Sequence, residues 1–153
     1  MSDSNNRRLD REERLRAELF PEHQNSVFDT RKAGFVPVAI EYRKLLRYLT
    51  PPQVRILLYL LLRVSRAGIC FPTIDEIAYD LGVAAKKHLR PLIADLERKG
   101  FIQVASSGGR TYYLILDPSV AITTLRKDGV IDDEHFLEIN RLRGDLKREE
   151  ISI

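Results

Sequence analysis

A short run of basic side chains near the middle of the chain could bind an anionic polymer. The run contains Lys86, Lys87, His88 and Arg90, and Arg98 follows eight residues after Arg90. Ammonium groups suit phosphate oxygens, which position a protein on a nucleic acid without reading its sequence. A guanidinium offers a planar fork of donors that matches O6 and N7 of guanine. If the ligand is a nucleic acid, Arg90 is the candidate for base recognition and the lysines are candidates for phosphate contact.

A second candidate contact is a turn of small residues that ends in a cation. Ser106, Ser107, Gly108 and Gly109 are followed directly by Arg110. Small side chains let a backbone approach DNA closely, and a single Arg can enter a minor groove. Taken alone, both groups of residues are better explained as an ordinary charged surface. Their meaning therefore depends on the elements that carry them.

The element before the basic run is predicted to be a short helix. Thr73 is a good N-cap, and Glu76 three residues later predicts a capping box, in which each side chain accepts a hydrogen bond from a backbone N–H. Gly82 is placed to end the helix, because glycine adopts the left-handed conformation easily. The apolar positions recur at helical spacing on one face and are Ile74, Ile77, Ala78 and Leu81.

A second helical pattern follows and stops at Gly100. Its apolar positions are Leu89, Leu92, Ile93 and Leu96. Pro91 lies inside the pattern, and proline lacks an N–H and clashes with the carbonyl four residues back. The helix must therefore either start near His88 or bend at Pro91. Beyond Gly100, residues 101–104 and 111–115 are predicted to form two strands around the small-residue turn.

Helix, tight turn, helix and hairpin is the order of a winged helix-turn-helix, and residues 49–118 resemble that family. The matching motifs are F-P-T-x-x-E-I-A-x-x-L-G-V, then L-E-R-K-G-F-I, then Gly-Gly before Y-Y-L. They look most like the winged-helix domains of bacterial plasmid and phage replication proteins, and also like those of transcriptional regulators. The resemblance implies double-stranded DNA binding in replication initiation or its regulation. The alternative is a transcriptional repressor that binds an inverted repeat.

Charge is distributed unevenly along a mildly basic chain of 153 residues with a formal charge of +3. Residues 31–66 contain eight Lys and Arg against one Glu, a net charge of +7. Residues 117–153 contain six basic and nine acidic residues, a net charge of −3. A basic segment ahead of the helix-turn-helix suits phosphate contacts, although a solvated basic helix face is the simpler explanation.

The sequence has no pattern that indicates an enzyme, a metal site or a cofactor. His23, His88 and His135 are scattered, and no phosphate-binding loop occurs. The alternation of Tyr112 and Tyr113 predicts one surface and one core residue rather than a nucleophile. No apolar run approaches the ~18 residues of a membrane span, and the start does not resemble a secretion signal. We expect a cytoplasmic protein without catalytic activity.

The fold class predicted for the chain is α+β, mostly α, in three parts. Residues 1–36 form a charged, partly disordered extension, in which 1–6 are disordered and 7–20 are either an exposed helix or a tail that orders on a partner. Residues 37–117 form the winged helix with a preceding helix, and 118–153 form C-terminal helices that could mediate dimerisation. Short extended pieces are predicted at 27–28 and 35–38, helices at 40–49 and 51–66, and a buried thiol at Cys70.

A homodimer is predicted from an excess of apolar surface. The helix over 51–66 is apolar nearly all round, so that Ile56 and Leu60 need cover from flanking helices or a second subunit. The C-terminal stripe also needs one partner helix, and its members are Phe136, Ile139, Leu142 and Leu146. Symmetric pairing would satisfy both. In the alternative, the C-terminal helix folds back onto 51–66 in the same chain.

A third class of function is a winged helix that binds protein. It would use the apolar excess of the 51–66 helix and the acidic C-terminal part. The charge around the basic run distinguishes the two classes. DNA binding requires a continuous positive face, whereas Asp75, Asp95 or Glu97 within that face would favour a protein partner.

Overall fold

The computed structural model describes residues 2–23 and 38–151. The helices are α1 Ser2–Leu19, α2 Tyr42–Leu45, α3 Pro51–Arg63, α4 Ile74–Leu81, α5 Leu89–Arg98, α6 Pro118–Lys127 and α7 Asp133–Ile151. The strands are β1 Ile69–Cys70, β2 Ile102–Ser107 and β3 Arg110–Ile115. Short 3₁₀ turns span Pro21–His23, Leu46–Tyr48 and Lys86–His88. The chain divides into two units, 36–147 and 1–35 with 148–153, and the predicted winged helix lies in the first.

The predicted fold class is confirmed, because α3, β1, α4, α5, β2 and β3 follow one another as a winged helix-turn-helix. β3 lies between β1 and β2 and is antiparallel to both. The hairpin closes through Gly108 and Gly109, both with positive φ, as a two-residue hairpin turn requires. β1 was not predicted, since two residues are too few to show an alternating pattern.

The helix-turn-helix begins as its cap residues predict, with one difference. The Thr73 hydroxyl accepts a hydrogen bond from the Glu76 backbone N–H at 3.1 Å. The Glu76 carboxylate does not complete the predicted capping box, because it pairs with Arg63 at 3.2 Å. Gly82 ends α4 with a φ of 70°, as predicted.

The predicted alternatives for the second helix are resolved in favour of a late start. α5 begins at Leu89, so Pro91 lies in the first turn, where its missing N–H costs nothing. Residues Lys86–His88 precede it as a 3₁₀ turn. The helix ends before Gly100, which has a φ of 88°. Pro91 therefore shortens the helix instead of bending it.

α3 is buried more completely within one chain than the sequence predicts. Thr50 caps it in a full capping box with Gln53, and the helix ends at Arg63 instead of near residue 66. Ile56 and Leu60 are both 0 % exposed. Of the two predicted sources of cover, flanking helices or a second subunit, elements of the same chain therefore suffice for these two side chains. The exposed apolar residues of α3 are Leu58 and Leu62.

The first half of α7 folds back within the chain. Ile139 is 0 % exposed, and Glu138 pairs with Lys44 at 3.5 Å. Arg143 lies 3.6 Å from Glu41. The helix therefore packs beside residues 41–48, although the folded-back alternative placed it on 51–66. The Leu146 side chain lies outside the part that the structure describes.

The predictions for the N-terminal part have mixed outcomes. α1 starts at Ser2, so the disorder predicted for 1–6 is wrong for 2–6. Its described side chains are mostly exposed, which agrees with the loose helix predicted over 7–20. The extended pieces predicted at 27–28 and 35–37 lie outside the described residues. None of the helices described has the length and apolar character to cross a membrane.

One apolar core joins the winged helix to α2, α6 and α7. Phe101, 1 % exposed, stacks on Tyr42 with 6.3 Å between ring centroids. Burial raises the pKa of Tyr42 to about 12. Cys70 is 3 % exposed, as predicted, and burial raises the pKa of its thiol. Tyr113 is buried whereas its neighbour Tyr112 is only partly so, which confirms the predicted alternation.

The end of α5 predicts a stability difference between two glycines. A Cβ at Gly100 would lie 2.9 Å from Thr124 Oγ1 and 3.1 Å from the Val120 carbonyl oxygen, whereas Gly82 faces open space. Gly82→Ala should cost only the backbone strain of about 1–2 kcal/mol. Gly100→Ala should cost a further ~1–3 kcal/mol from overpacking. Urea unfolding measures both, and equal losses would contradict close packing of α6 against this turn.

Candidate nucleic-acid interface

A groove of about 680 Å³ lies between α5, the hairpin and the start of α4. Arg90 and Arg110, two of the predicted contact residues, both line it, and so does Ser106. Ser107 is exposed beside them and pairs in register with Arg110 across the turn. The apolar part of the lining consists of Phe71, Pro72, Ile74, Ile93, Ala94 and Val104.

Arg110 is held at the edge of this groove by an aromatic ring. Its guanidinium carbon lies 4.8 Å from the centroid of Phe71, within the range of a cation–π contact. The Phe71 ring packs in turn against Tyr112 at 5.8 Å. Sequence reasoning assigned no such role to Phe71. The contact arises because Phe71 directly follows β1, which pairs with β3, and this two-residue strand gave no signal in the sequence.

Lys87 and Arg90 are exposed at the start of α5. Within the described part of the chain, neither forms an ion pair. Burial raises the pKa of Tyr113 on the neighbouring strand, and the positive charge of Arg90 opposes that shift. Neither Lys87 nor Arg90 must therefore break an ion pair within the described residues before it contacts a ligand.

Lys86 is differently placed, because it forms an ion pair with Asp75 of α4. Both side chains are more than half exposed, at 55 % and 64 %. An exposed ion pair contributes little to stability and opens readily. Lys86 can still contact a phosphate, but it must first leave Asp75.

Acidic residues interrupt the positive face. Glu76 and Glu97 line the groove beside Arg90. Each has a partner of its own, since Glu76 pairs with Arg63 and the Glu97 carboxylate accepts a hydrogen bond from the Val104 backbone N–H at 2.7 Å. Four basic residues at this face, Lys86, Lys87, Arg90 and Arg110, therefore stand against three acidic ones, Asp75, Glu76 and Glu97. The face is weakly positive.

Two of the predicted contact residues lie elsewhere. His88 lines a depression on the α3 side, together with Pro52 and Arg55. Arg98 borders a depression beside Tyr48 at the far end of α5. Eight residues separate Arg98 from Arg90, which amounts to about 80° around a helix and about 12 Å along it. Arg98, which the sequence grouped with Arg90 as a candidate contact, therefore lies apart from it.

Asp95 lies behind the face, under the far side of α5. Its carboxylate accepts hydrogen bonds from Gln53 Nε2 at 2.7 Å and Arg98 Nε at 3.1 Å, and it pairs with Lys99 at 2.9 Å. These contacts, that from Lys99 most of all, hold the pKa of Asp95 well below its ordinary value. Asp95 is committed to bonds within the fold and does not interrupt the positive face.

The groove and its elements define a winged helix-turn-helix protein with a candidate nucleic-acid interface. No protein-family model matches the chain, and no curated protein matches it. The AntR antimony-specific transcriptional repressor is similar over 62 % of this chain and 82 % of its own. Disulfide-formed AbfR is similar over 99 % and 97 %. Each has 16 % identity and a TM-score of 0.37, so function must be argued from the groove itself. Neither name mentions replication, so the role in replication that the motifs suggest stays a prediction.

Among the residues that the structure describes, no group of three or more His, Cys, Asp or Glu side chains is placed to hold a metal ion.

The depressed pKa of Asp95 predicts a pH-dependent contribution to stability. Because the folded-state pKa lies below the ordinary value of about 4, the ionised carboxylate stabilises the fold. That contribution is complete above pH ~4 and is lost as the pH falls below it. Asp95→Asn should therefore unfold more easily than the natural protein at pH 7, and the two should converge in acid. A difference that stays constant from pH 7 to pH 3 would contradict this account.

Proposed function

We propose that this protein binds double-stranded DNA sequence-specifically through α5 and the β2–β3 hairpin. The observation that carries the proposal is a groove that Arg90, in the first turn of α5, lines on one side and Arg110 borders on the other, with the exposed Lys87 in the 3₁₀ turn just before α5. A helix with its side chains is about 10–12 Å wide, and the major groove of B-DNA is about 12 Å wide. With α5 in the major groove, the hairpin would reach the neighbouring backbone.

Each basic residue has a role that its chemistry suits. Arg90 reads a guanine through two parallel hydrogen bonds. Lys87 contacts phosphate, and Lys86 joins it when it leaves Asp75. Arg110 enters the minor groove, where A/T-rich sequence gives the strongest negative potential. Ser106 and Ser107 let the hairpin approach the backbone.

The biological role that we propose is regulation of transcription in the cytoplasm, with no catalytic step. Repression requires only that a site be occupied, and the elements described above suffice for that. Replication initiation or its regulation, which the motifs suggest, is the alternative. Selection of bound fragments from the source genome separates the two. Fragments from promoters support the first role, and fragments from replication origins support the second.

A protein partner is a second candidate function, and the charge balance favours it. Glu76 and Glu97 beside Arg90 and Arg110 give the groove both signs of charge, and Phe71 adds an exposed aromatic ring. A peptide with mixed charges would suit such a surface. Absence of binding to any duplex at low salt would favour this alternative over DNA.

The first prediction distinguishes base recognition from phosphate contact. Arg90→Ala should cost about 1–3 kcal/mol on a selected site and relax discrimination at one base pair. Lys87→Ala should weaken binding to all sequences and reduce the salt slope by about 1. Arg98→Ala is the control, because that side chain lies beyond the groove. Fluorescence anisotropy at several salt concentrations measures all three. Unchanged affinity in the first two variants would remove α5 from the interface.

A further prediction follows from the ion pair between Lys86 and Asp75. Asp75→Asn should tighten binding to any duplex by up to about fivefold and steepen its salt dependence, since an exposed pair contributes at most about 1 kcal/mol. Asp133→Asn makes the same change in net charge on α7, where Asp133 is exposed and pairs with Arg126. Equal effects of the two substitutions would show that only net charge matters.

The proposal includes a homodimer on an inverted repeat, with two α5 helices one helical turn of DNA apart or a multiple of it. The exposed Leu58 and Leu62 of α3 are available to such an interface. Sedimentation at micromolar concentration should give the mass of a dimer. A monomer would remove this part of the proposal and leave DNA binding intact. Truncation after Gly129 is unsuitable as a test, because it also removes the buried Ile139 from the core.

A further inference from the structure

Gln53 is a polar side chain with only 1 % exposure, and it joins the start of α3 to the middle of α5. Its Oε1 accepts a hydrogen bond from the Thr50 backbone N–H at 3.0 Å. Its Nε2 donates to the Leu92 carbonyl at 3.3 Å and to the Asp95 carboxylate at 2.7 Å. The acceptor and both donor positions of this buried amide are therefore used, as a polar group in a core requires.

A second connection lies one turn farther along α5. The Lys99 ammonium donates to the Tyr48 carbonyl at 2.8 Å and pairs with Asp95 at 2.9 Å. Its side chain is only 16 % exposed. Asp95 thus links two anchors, one on α3 through Gln53 and one on the 3₁₀ turn before α3 through Lys99. Buried polar networks that are fully satisfied favour one arrangement of the elements that they connect.

These hydrogen bonds restrict the rotation of α5 about its own axis, which apolar packing alone leaves free. Leu89, Ile93 and Leu96 hold α5 against the core, but apolar burial is non-directional. Hydrogen bonds weaken steeply when their angles change. Asp95 lies five residues after Arg90, about 140° away around the helix. Rotation of α5 about its axis would break the bonds at Asp95 and turn Arg90 away at the same time.

We propose that Gln53 and Asp95 are positioning residues, which set the rotation of α5 and through it the ability of Arg90 to distinguish one base pair from another. This inference rests on the proposed function. Neither side chain touches DNA. Their removal should therefore reduce discrimination between sequences and leave the phosphate contacts of Lys87 in place.

The test compares Gln53→Leu and Asp95→Ala with two matched variants. Asp95→Asn keeps an oxygen that can accept from Gln53, and Arg98→Ala removes only an exposed partner of Asp95. The quantity measured is the ratio of affinities for a selected duplex and for the same duplex with the recognised guanine replaced, together with the salt slope. Gln53→Leu and Asp95→Ala should lower the ratio by about tenfold at an unchanged slope. Asp95→Asn should recover most of it, and Arg98→Ala should match the natural protein.

If Gln53 and Asp95 contribute only to the stability of the fold, the same variants give a different result. If melting temperatures fall but the ratio in the folded variants is unchanged, the inference is overturned. Should one of Gln53→Leu and Asp95→Ala not fold, the other decides, because each removes the hydrogen bond between Gln53 and Asp95. An unchanged ratio in either folded variant of this pair overturns the inference.

A measurement without DNA separates this inference from the proposed function. Amide residual dipolar couplings report the orientation of α5 relative to α3 in the natural protein and in the same variants. A changed orientation in Gln53→Leu or Asp95→Ala, with none in Arg98→Ala, supports positioning even if no duplex binds. An unchanged orientation overturns it. Absence of discrimination by the natural protein would instead refute the proposed function.

Discussion

The packing of α5 against α3 is the contact on which the candidate interface depends. Apolar side chains supply most of its free energy, with Leu89 and Leu96 of α5 and Ile56 and Leu60 of α3 all almost fully buried. That burial would tolerate several rotations of the two helices. The amide of Gln53 adds direction, since it binds a carbonyl and a carboxylate of α5 while it caps α3. The first turn of α3 therefore both caps its own helix and orients α5.

The contact network extends beyond the winged helix into the C-terminal part. Tyr48, whose carbonyl accepts from Lys99, also bonds through its hydroxyl to the buried His135 of α7. α7 is thereby tied to the element that supports the end of α5. Ile122, Leu125 and Ile139 belong to the same core as the winged helix, and the dimerisation role of the C-terminal helices stays a prediction.

Local signals in the sequence predict the fold well, and long-range pairing explains what they miss. Thr73 and Gly82 mark the ends of α4 because a cap depends on a few neighbouring residues. The carboxylate of Glu76 pairs with Arg63, thirteen residues away, and so leaves the capping box half formed. Phe71 meets Arg110 only because β1 pairs with β3. Arg98 was grouped with Arg90 as a contact residue, but eight helical positions place it about 12 Å farther along α5, where it pairs with Asp95.

The weak positive charge of the face would lower non-specific binding to DNA more than it lowers base recognition. Non-specific binding comes almost entirely from phosphate neutralisation. Glu97 and Glu76 are kept near Arg90 by partners of their own, the Val104 backbone N–H and Arg63, and therefore lower the attraction to any phosphate. A hydrogen bond from Arg90 to a base edge is less affected, because it depends on orientation and short distance. Such a face would bind arbitrary DNA sequences weakly. Recognition would then depend on how accurately α5 is oriented. The buried amide of Gln53 would then matter more for specificity here than on a strongly basic surface.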